Sequence, residues 1–113
     1  NAHRYNTALA HIDDLITPQS SDGHVFHQYT LLIKNNQRDA LQAHLKANNI
    51  TAMVYYPIPF HKLPYYQNKT NFIAPNLPIS ERIASECLSL PIHPFLSLEQ
   101  QAYVIKIILD FFK

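Results

Sequence analysis

Between Tyr55 and Tyr66 the chain reads YYPIPFHKLPYY: four tyrosines, three prolines, one histidine and one lysine in twelve residues, with no glycine and no acid. Tyrosine hydroxyls and a neutral imidazole hydrogen-bond sugar hydroxyls or phosphate oxygens, and aromatic faces stack on a base or a sugar ring. Proline narrows the freedom of an unbound loop, so a polar tip that follows it is presented ready to bind. Tyr55 and Tyr56 stand at the end of an expected strand, and His61 follows a stiff Pro-x-Pro step. These three residues are the candidate ligand contacts. The segment reads as a wall for a ligand whose chemistry happens elsewhere, with Tyr65 and Tyr66 as packing residues.

Other chemistries find less in the sequence. The chain has seven histidines, but no HExxH, no cysteine pair and no clustered carboxylates accompany them, so no metal site is expected. His24 and His27, three apart on an expected strand, point to opposite faces. Cys87 reads as a small buried hydrophobe on a helix face rather than a nucleophile. Ser89 in LSLP lacks the glycine-flanked elbow of a hydrolase serine. The eight acids fall on helix surfaces and loops, and no pair of them makes a general acid and base. A single glycine, Gly23, rules out a glycine-rich phosphate cradle. Nothing here is a self-contained active site.

The elements that must position the aromatic stretch follow from periodicity. Tyr5, Leu9, Ile12 and Ile16 predict an amphipathic helix over residues 1–16, and TPQSSDG a loop. HVFHQYTLLI predicts a strand over 24–33 that is covered on both sides, closed by a turn at Lys34-Asn35-Asn36. A second helix is expected from Gln37 to Asn48, with Asn36 as N-cap, Asp39 in its first turn and a left-handed end at Asn48-Asn49. A second strand is expected over 50–56, then an irregular stretch from Pro57 to Pro78. A third helix should present Ile79, Ile83 and Cys87 on one face, with LSLPIHP extended after it. Ser97 and Gln100 form a capping box for a last helix that is apolar nearly all round. The order predicts one small two-layer α/β (α+β) domain, with a few-stranded, largely antiparallel sheet and packed helices.

Bulk properties set the outer limits. The chain has 113 residues, enough for one domain, with 47% hydrophobic and 15% charged residues and a formal charge of +1. Such a balance offers no general attraction to nucleic acid or anionic membrane. No apolar run reaches the ~20 residues of a membrane span. The lone cysteine leans towards a reducing, cytoplasmic setting. The opening NAHRYNTALAHIDDL lacks an initiator methionine and starts mid-helix in pattern, which fits a segment of a longer polypeptide.

Four stretches, in order, resemble the C-terminal part of the DegT/DnrJ/EryC1/StrS family: HVFHQYTLLI, RDALQAHLKANNI, YYPIPFHKLPYY and SERIASECLSLPIHPFLSLEQQAYVI. The resemblance covers nearly the whole chain, and HRYNTALAHI is similar to the helix that enters the family's small domain. Family members are pyridoxal-phosphate-dependent nucleotide-sugar aminotransferases of the aspartate-aminotransferase fold type. The resemblance implies that residues 1–113 are the C-terminal small domain, with 1–16 a linker helix. The Schiff-base lysine and the pyridoxal phosphate site would lie in a large N-terminal domain, so this segment by itself should hold no cofactor and be inactive. It also implies a homodimer that takes a nucleotide-sugar and, as amino donor, glutamate. His61 matches the histidine of the family's Pro-x-His step. Tyr55-Tyr56-Pro57 stands where many members carry His-Tyr-Pro, so a phenol replaces an imidazole at Tyr55. HQY (His27 to Tyr29) and LSLP match family motifs read as structural.

Two other readings remain at this stage. The aromatic loop could belong to a free-standing sugar- or peptide-binding module. A family member without its lysine could instead be regulatory.

Overall fold

Tyr29, Leu31 and Ile33 are spaced two apart, and an extended chain puts residues at that spacing on one face. In the computed structural model, which describes all 113 residues, these three are fully buried. The elements run α1 (Ala2–Leu9), β1 (Leu15–Ile16), β2 (Tyr29–Ile33), α2 (Arg38–Ala47), a 3₁₀ turn (Phe60–Lys62), α3 (Pro64–Gln67), α4 (Pro78–Glu86), β3 (Cys87–Leu90) and α5 (Leu98–Phe111). β2 is the middle strand of a three-stranded antiparallel sheet. Leu15 lies opposite Ile33 on one side of it, and Tyr29 opposite Leu90 on the other. The α+β arrangement expected from the element order is the one the chain adopts.

The buried face of the sheet packs on three helices. Tyr5 and Leu9 of α1, Leu41 and Leu45 of α2, and Val104, Ile107 and Ile108 of α5 join it in one core of 16 residues. Each such side chain contributes about 1.5–3 kcal/mol when taken fully out of water. Two phenols are buried with their hydroxyls paired. Tyr5 donates to the Pro91 carbonyl at 2.9 Å and Tyr29 to Asn6 Oδ1 at 2.6 Å, with their rings 4.9 Å apart. Burial pushes the Tyr5 phenol up to about 12. Burial, and then the neighbouring Tyr5, push Tyr29 up as well.

Local signals in the sequence fix several ends. Ser97 Oγ accepts from the Gln100 N–H at 3.1 Å while Gln100 Oε1 accepts from the Ser97 N–H at 2.9 Å, the expected capping box of α5. After α2, Asn49 is left-handed at φ 59°, and the Ile50 and Asn49 N–H groups reach back to the Leu45 and Lys46 carbonyls at 2.9 and 3.0 Å. That is a Schellman end in which asparagine stands where glycine is usual. Arg38 Nη1 donates to the Ala84 and Cys87 carbonyls at 3.1 and 3.2 Å, joining the start of α2 to the end of α4. A cation there suits the negative end of the helix dipole.

Elsewhere tertiary contacts overrule the pattern. The helix expected over 1–16 stops at Leu9, because Leu15 and Ile16 pair with β2 and the Asp14 carbonyl accepts the Lys34 N–H at 2.8 Å. The strand expected over 24–33 starts only at Tyr29. Before it, His24 Nδ1 accepts the Phe26 N–H at 2.9 Å, the two rings lie 3.9 Å apart, and Phe26 has φ 47°, a local turn in place of a strand. The strand expected over 50–56 reduces to one bridge between Met53 and Ser89, and the donor-less Pro57 and Pro59 follow. Asn36 does not cap α2. It is left-handed like Asn35, and Gln37 takes the cap position without a side-chain bond. Cys87 opens β3 rather than ending a helix, although it is buried as expected. Ile79 and Ile83 face outward, Ile79 with 75% of its surface exposed.

The molecule is elongated, 53 Å on its long axis, with a radius of gyration of 16.0 Å. A compact chain of this length has about 13 Å. From Pro57 to Leu77 only one side chain, His61, is buried, so this stretch is an arm laid on the domain rather than part of its core.

Three outcomes are expected from urea unfolding. Leu31→Ala should cost about 2–5 kcal/mol, Ser97→Ala about 1 kcal/mol, and Ile79→Ala no more than about 0.5 kcal/mol. A large loss at Ile79 would contradict its outward position. The raised phenols set a separate alkaline limit. They ionise near 10.0 in the unfolded chain but resist in the folded one, so their stabilisation is intact below pH 10 and falls as pH rises towards 12. Tyr29→Phe should flatten that fall in the urea midpoint.

Candidate functional site

Prolines build the arm locally. Pro59 precedes the 3₁₀ turn, whose Lys62 N–H bonds the Pro59 carbonyl at 2.9 Å. Pro64 and Pro78 start α3 and α4, where a missing N–H loses nothing and φ is already helical. Phe60, Tyr66 and Phe72 stack in sequence, with ring centroids 4.9 and 5.4 Å apart. Tyr65 meets Tyr66 edge-on at 5.1 Å, and Lys69 Nζ sits 4.4 Å from the Tyr65 ring centre. The aromatic residues hold one another more than they hold the core, and Phe60 keeps 70% of its surface exposed.

Between this arm and α4 lies an open groove of about 560 Å³, walled by Tyr56, Phe60, His61, Tyr66, Leu77 and Ile83 among others. His61 is only 6% exposed. Its Nε2 lies 3.1 Å from Glu81 Oε1, and Lys62 Nζ donates to Glu81 Oε2 at 2.8 Å. Gln67 donates to the His61 carbonyl at 2.9 Å. The Lys62 ammonium, and after it His61, hold the Glu81 carboxyl below its usual range. One carboxylate at the start of α4 thus receives two consecutive residues of the arm.

The three candidate residues do not share one hollow. Tyr56 and His61 line the groove, whereas Tyr55 lines a second hollow of about 220 Å³ with His27, Gln28, Met53 and Ser89. The two tyrosine rings meet edge-on, 5.8 Å apart, across a cis peptide. The HQY motif divides the same way: Tyr29 is core, while His27 and Gln28 edge the second hollow. Lys62 and Glu81 were missed as site residues. A charge count could have found them. No acid occurs between Asp39 and Glu81, so the cationic arm has Glu81 as the first acid that follows it.

The arrangement is suited to binding rather than to covalent chemistry. Cys87 is buried, and the Ser89 hydroxyl is shared with Thr30 at 2.8 Å. No three His, Cys, Asp or Glu side chains come together as a metal-binding group. A resident pyridoxal phosphate needs an enclosed lysine amine and a cradle for its phosphate. Lys46, Lys62, Lys69, Lys106 and Lys113 are exposed, and the half-buried Lys34 donates to the Asp13 carbonyl at 2.7 Å. Gly23 lies in an open loop with nothing within 4 Å of a Cβ placed there. These residues do not make that cofactor's site.

Comparison with known proteins places the chain. It is 46% identical over 103 residues, 89% of its length, to the pleiotropic regulatory protein of Geobacillus stearothermophilus. It is 37% identical over 97 residues, 84% of its length, to the UDP-N-acetyl-3-dehydro-alpha-D-glucosamine 3-aminotransferase of Acidithiobacillus ferrooxidans. It spans about a quarter of these relatives, 27% and 25%. The crystal structure of S. venezuelae DesV in complex with ketimine intermediate superposes with a TM-score of 0.87 at 32% identity, over 99% of this chain and 30% of that one. Residues 1–109 match the sequence profile of the DegT/DnrJ/EryC1/StrS aminotransferase family, and the chain belongs to that family.

Proposed function

We propose that this chain works as the C-terminal small domain of a pyridoxal-phosphate-dependent aminotransferase that moves an amino group from glutamate onto a nucleotide-linked keto-sugar. The cofactor is held by groups outside residues 1–113, in a cytoplasmic homodimer. The part played by these residues is to place the sugar and keep water from it, with His61 and Tyr56 bonding its hydroxyls and Tyr55 contacting it from the neighbouring hollow. Positioning of this kind lowers a barrier without any proton chemistry in the positioning group.

The observation that carries the reading is the groove itself, in a chain of this family. It has an apolar, aromatic wall with a few polar groups, the usual make-up of a small-molecule site. A regulatory reading is kept because of the name of the Geobacillus stearothermophilus relative.

The test is kinetic, in the complete polypeptide that carries this sequence. His61→Ala should lower kcat/KM for the nucleotide-sugar by roughly 2- to 10-fold, the worth of one hydrogen bond. The cofactor absorption should stay the same. Unchanged kinetics would remove His61 from the site. A complete polypeptide with no cofactor absorption and no turnover would favour the regulatory reading.

A further inference from the structure

Glu81 bonds Lys62 Nζ through Oε2 and faces His61 Nε2 through Oε1. An ionised carboxylate can only accept, and the ammonium beside it keeps it ionised. The proton between Glu81 and His61 therefore sits on His61 Nε2. In a neutral imidazole the other nitrogen, Nδ1, then carries a bare lone pair. Nδ1 has no hydrogen-bond partner in the chain and is not sealed from solvent, and His61 is a wall of the groove.

We propose that Glu81 is a positioning residue that turns His61 into a hydrogen-bond acceptor toward the groove, so that the groove takes a hydroxyl- or N–H-bearing face of its ligand and turns away phosphate. The nearby charges agree with this. Lys62 is spent on Glu81, Lys69 lies over Tyr65, and Arg82 pairs with Glu86 at 3.0 Å. The polar groups that remain in the wall, on Tyr56, Tyr66 and Ser80, are neutral hydroxyls. A phosphate would meet no free cation there and would face a bare lone pair. A sugar ring would stack on the aromatic wall and donate a hydroxyl proton to Nδ1. That the ligand is a sugar rests on the function proposed above. The tautomer of His61 does not.

The experiment is nitrogen-15 NMR of the histidine-labelled chain, read where the His61 ring is neutral. Nε2–H with a bare Nδ1 is expected, and an Nδ1–H tautomer would overturn the proposal. Glu81→Gln should lose the preference, because the amide can donate to Nε2 as well as accept from it. A purely structural Glu81 would leave the ring tautomer where it was. The wild-type measurement stands even if that variant does not fold. Two probes then separate the ligand chemistries, a methyl glucopyranoside and inorganic phosphate at equal high concentration. The glycoside should shift the His61 ring signals more than phosphate does, and the reverse order would overturn the acceptor assignment. A retained Nε2–H form that neither probe shifts would support the role of Glu81 and contradict the sugar reading of the groove.

Discussion

One carboxylate joins the two walls of the groove, the arm and α4. Glu81, at the start of α4, receives His61 at 3.1 Å and Lys62 at 2.8 Å. Between Pro57 and Leu77 the arm sends no side chain but His61 into the interior. Its aromatic residues stack on each other, which keeps the arm in shape but does not tie it to the domain. The tie is a small set of polar contacts around Glu81, and the one full ion pair among them, Lys62 to Glu81, is partly exposed and therefore weak. The arm therefore belongs to the low-stability end of the structure, while the sheet and its three helices form the high end. That division suits a binding element, which must admit a ligand without loosening the core.

The balance of forces explains what the sequence revealed and what it hid. Signals that act within a few residues were legible. The Ser97 and Gln100 capping box and the left-handed Asn49 are where their chemistry puts them, because only neighbouring backbone groups are involved. Tyr29, Leu31 and Ile33 of the expected strand are buried, while Thr30 and Leu32 on its other face are only half-buried where cover on both sides was expected. The failures have long-range causes. Ile16 fits a helical stripe, but the open edge of β2 pairs with it and Leu15 as a strand instead. Ile79 and Ile83 have the spacing of a core face. Ile83 lines the groove and Ile79 is exposed, because α4 meets the arm and solvent along that face while Arg38 holds its C-terminal end.

The candidate site was legible in part. Residue type, an expected strand end and the Pro-x-Pro step pointed to Tyr55, Tyr56 and His61, and the fold puts two of them in one groove and the third in the adjoining hollow. Glu81 went unnoticed because it lies twenty residues from His61, on another element. Its significance is relational: a carboxylate matters here for the nitrogen it fixes and the lysine it occupies. A family resemblance supplied the aminotransferase context, while the way His61 is turned came only from the geometry.

Native-state hydrogen exchange tests most directly whether Glu81 holds the arm to the domain. On replacing Glu81 with alanine, the amides of Lys62, Leu63, Tyr66 and Gln67 should lose protection while those of β2 and β3 keep theirs. Arm amides that exchange at the wild-type rate in that variant would contradict the claim, since the groove would then stand without the carboxylate said to hold it.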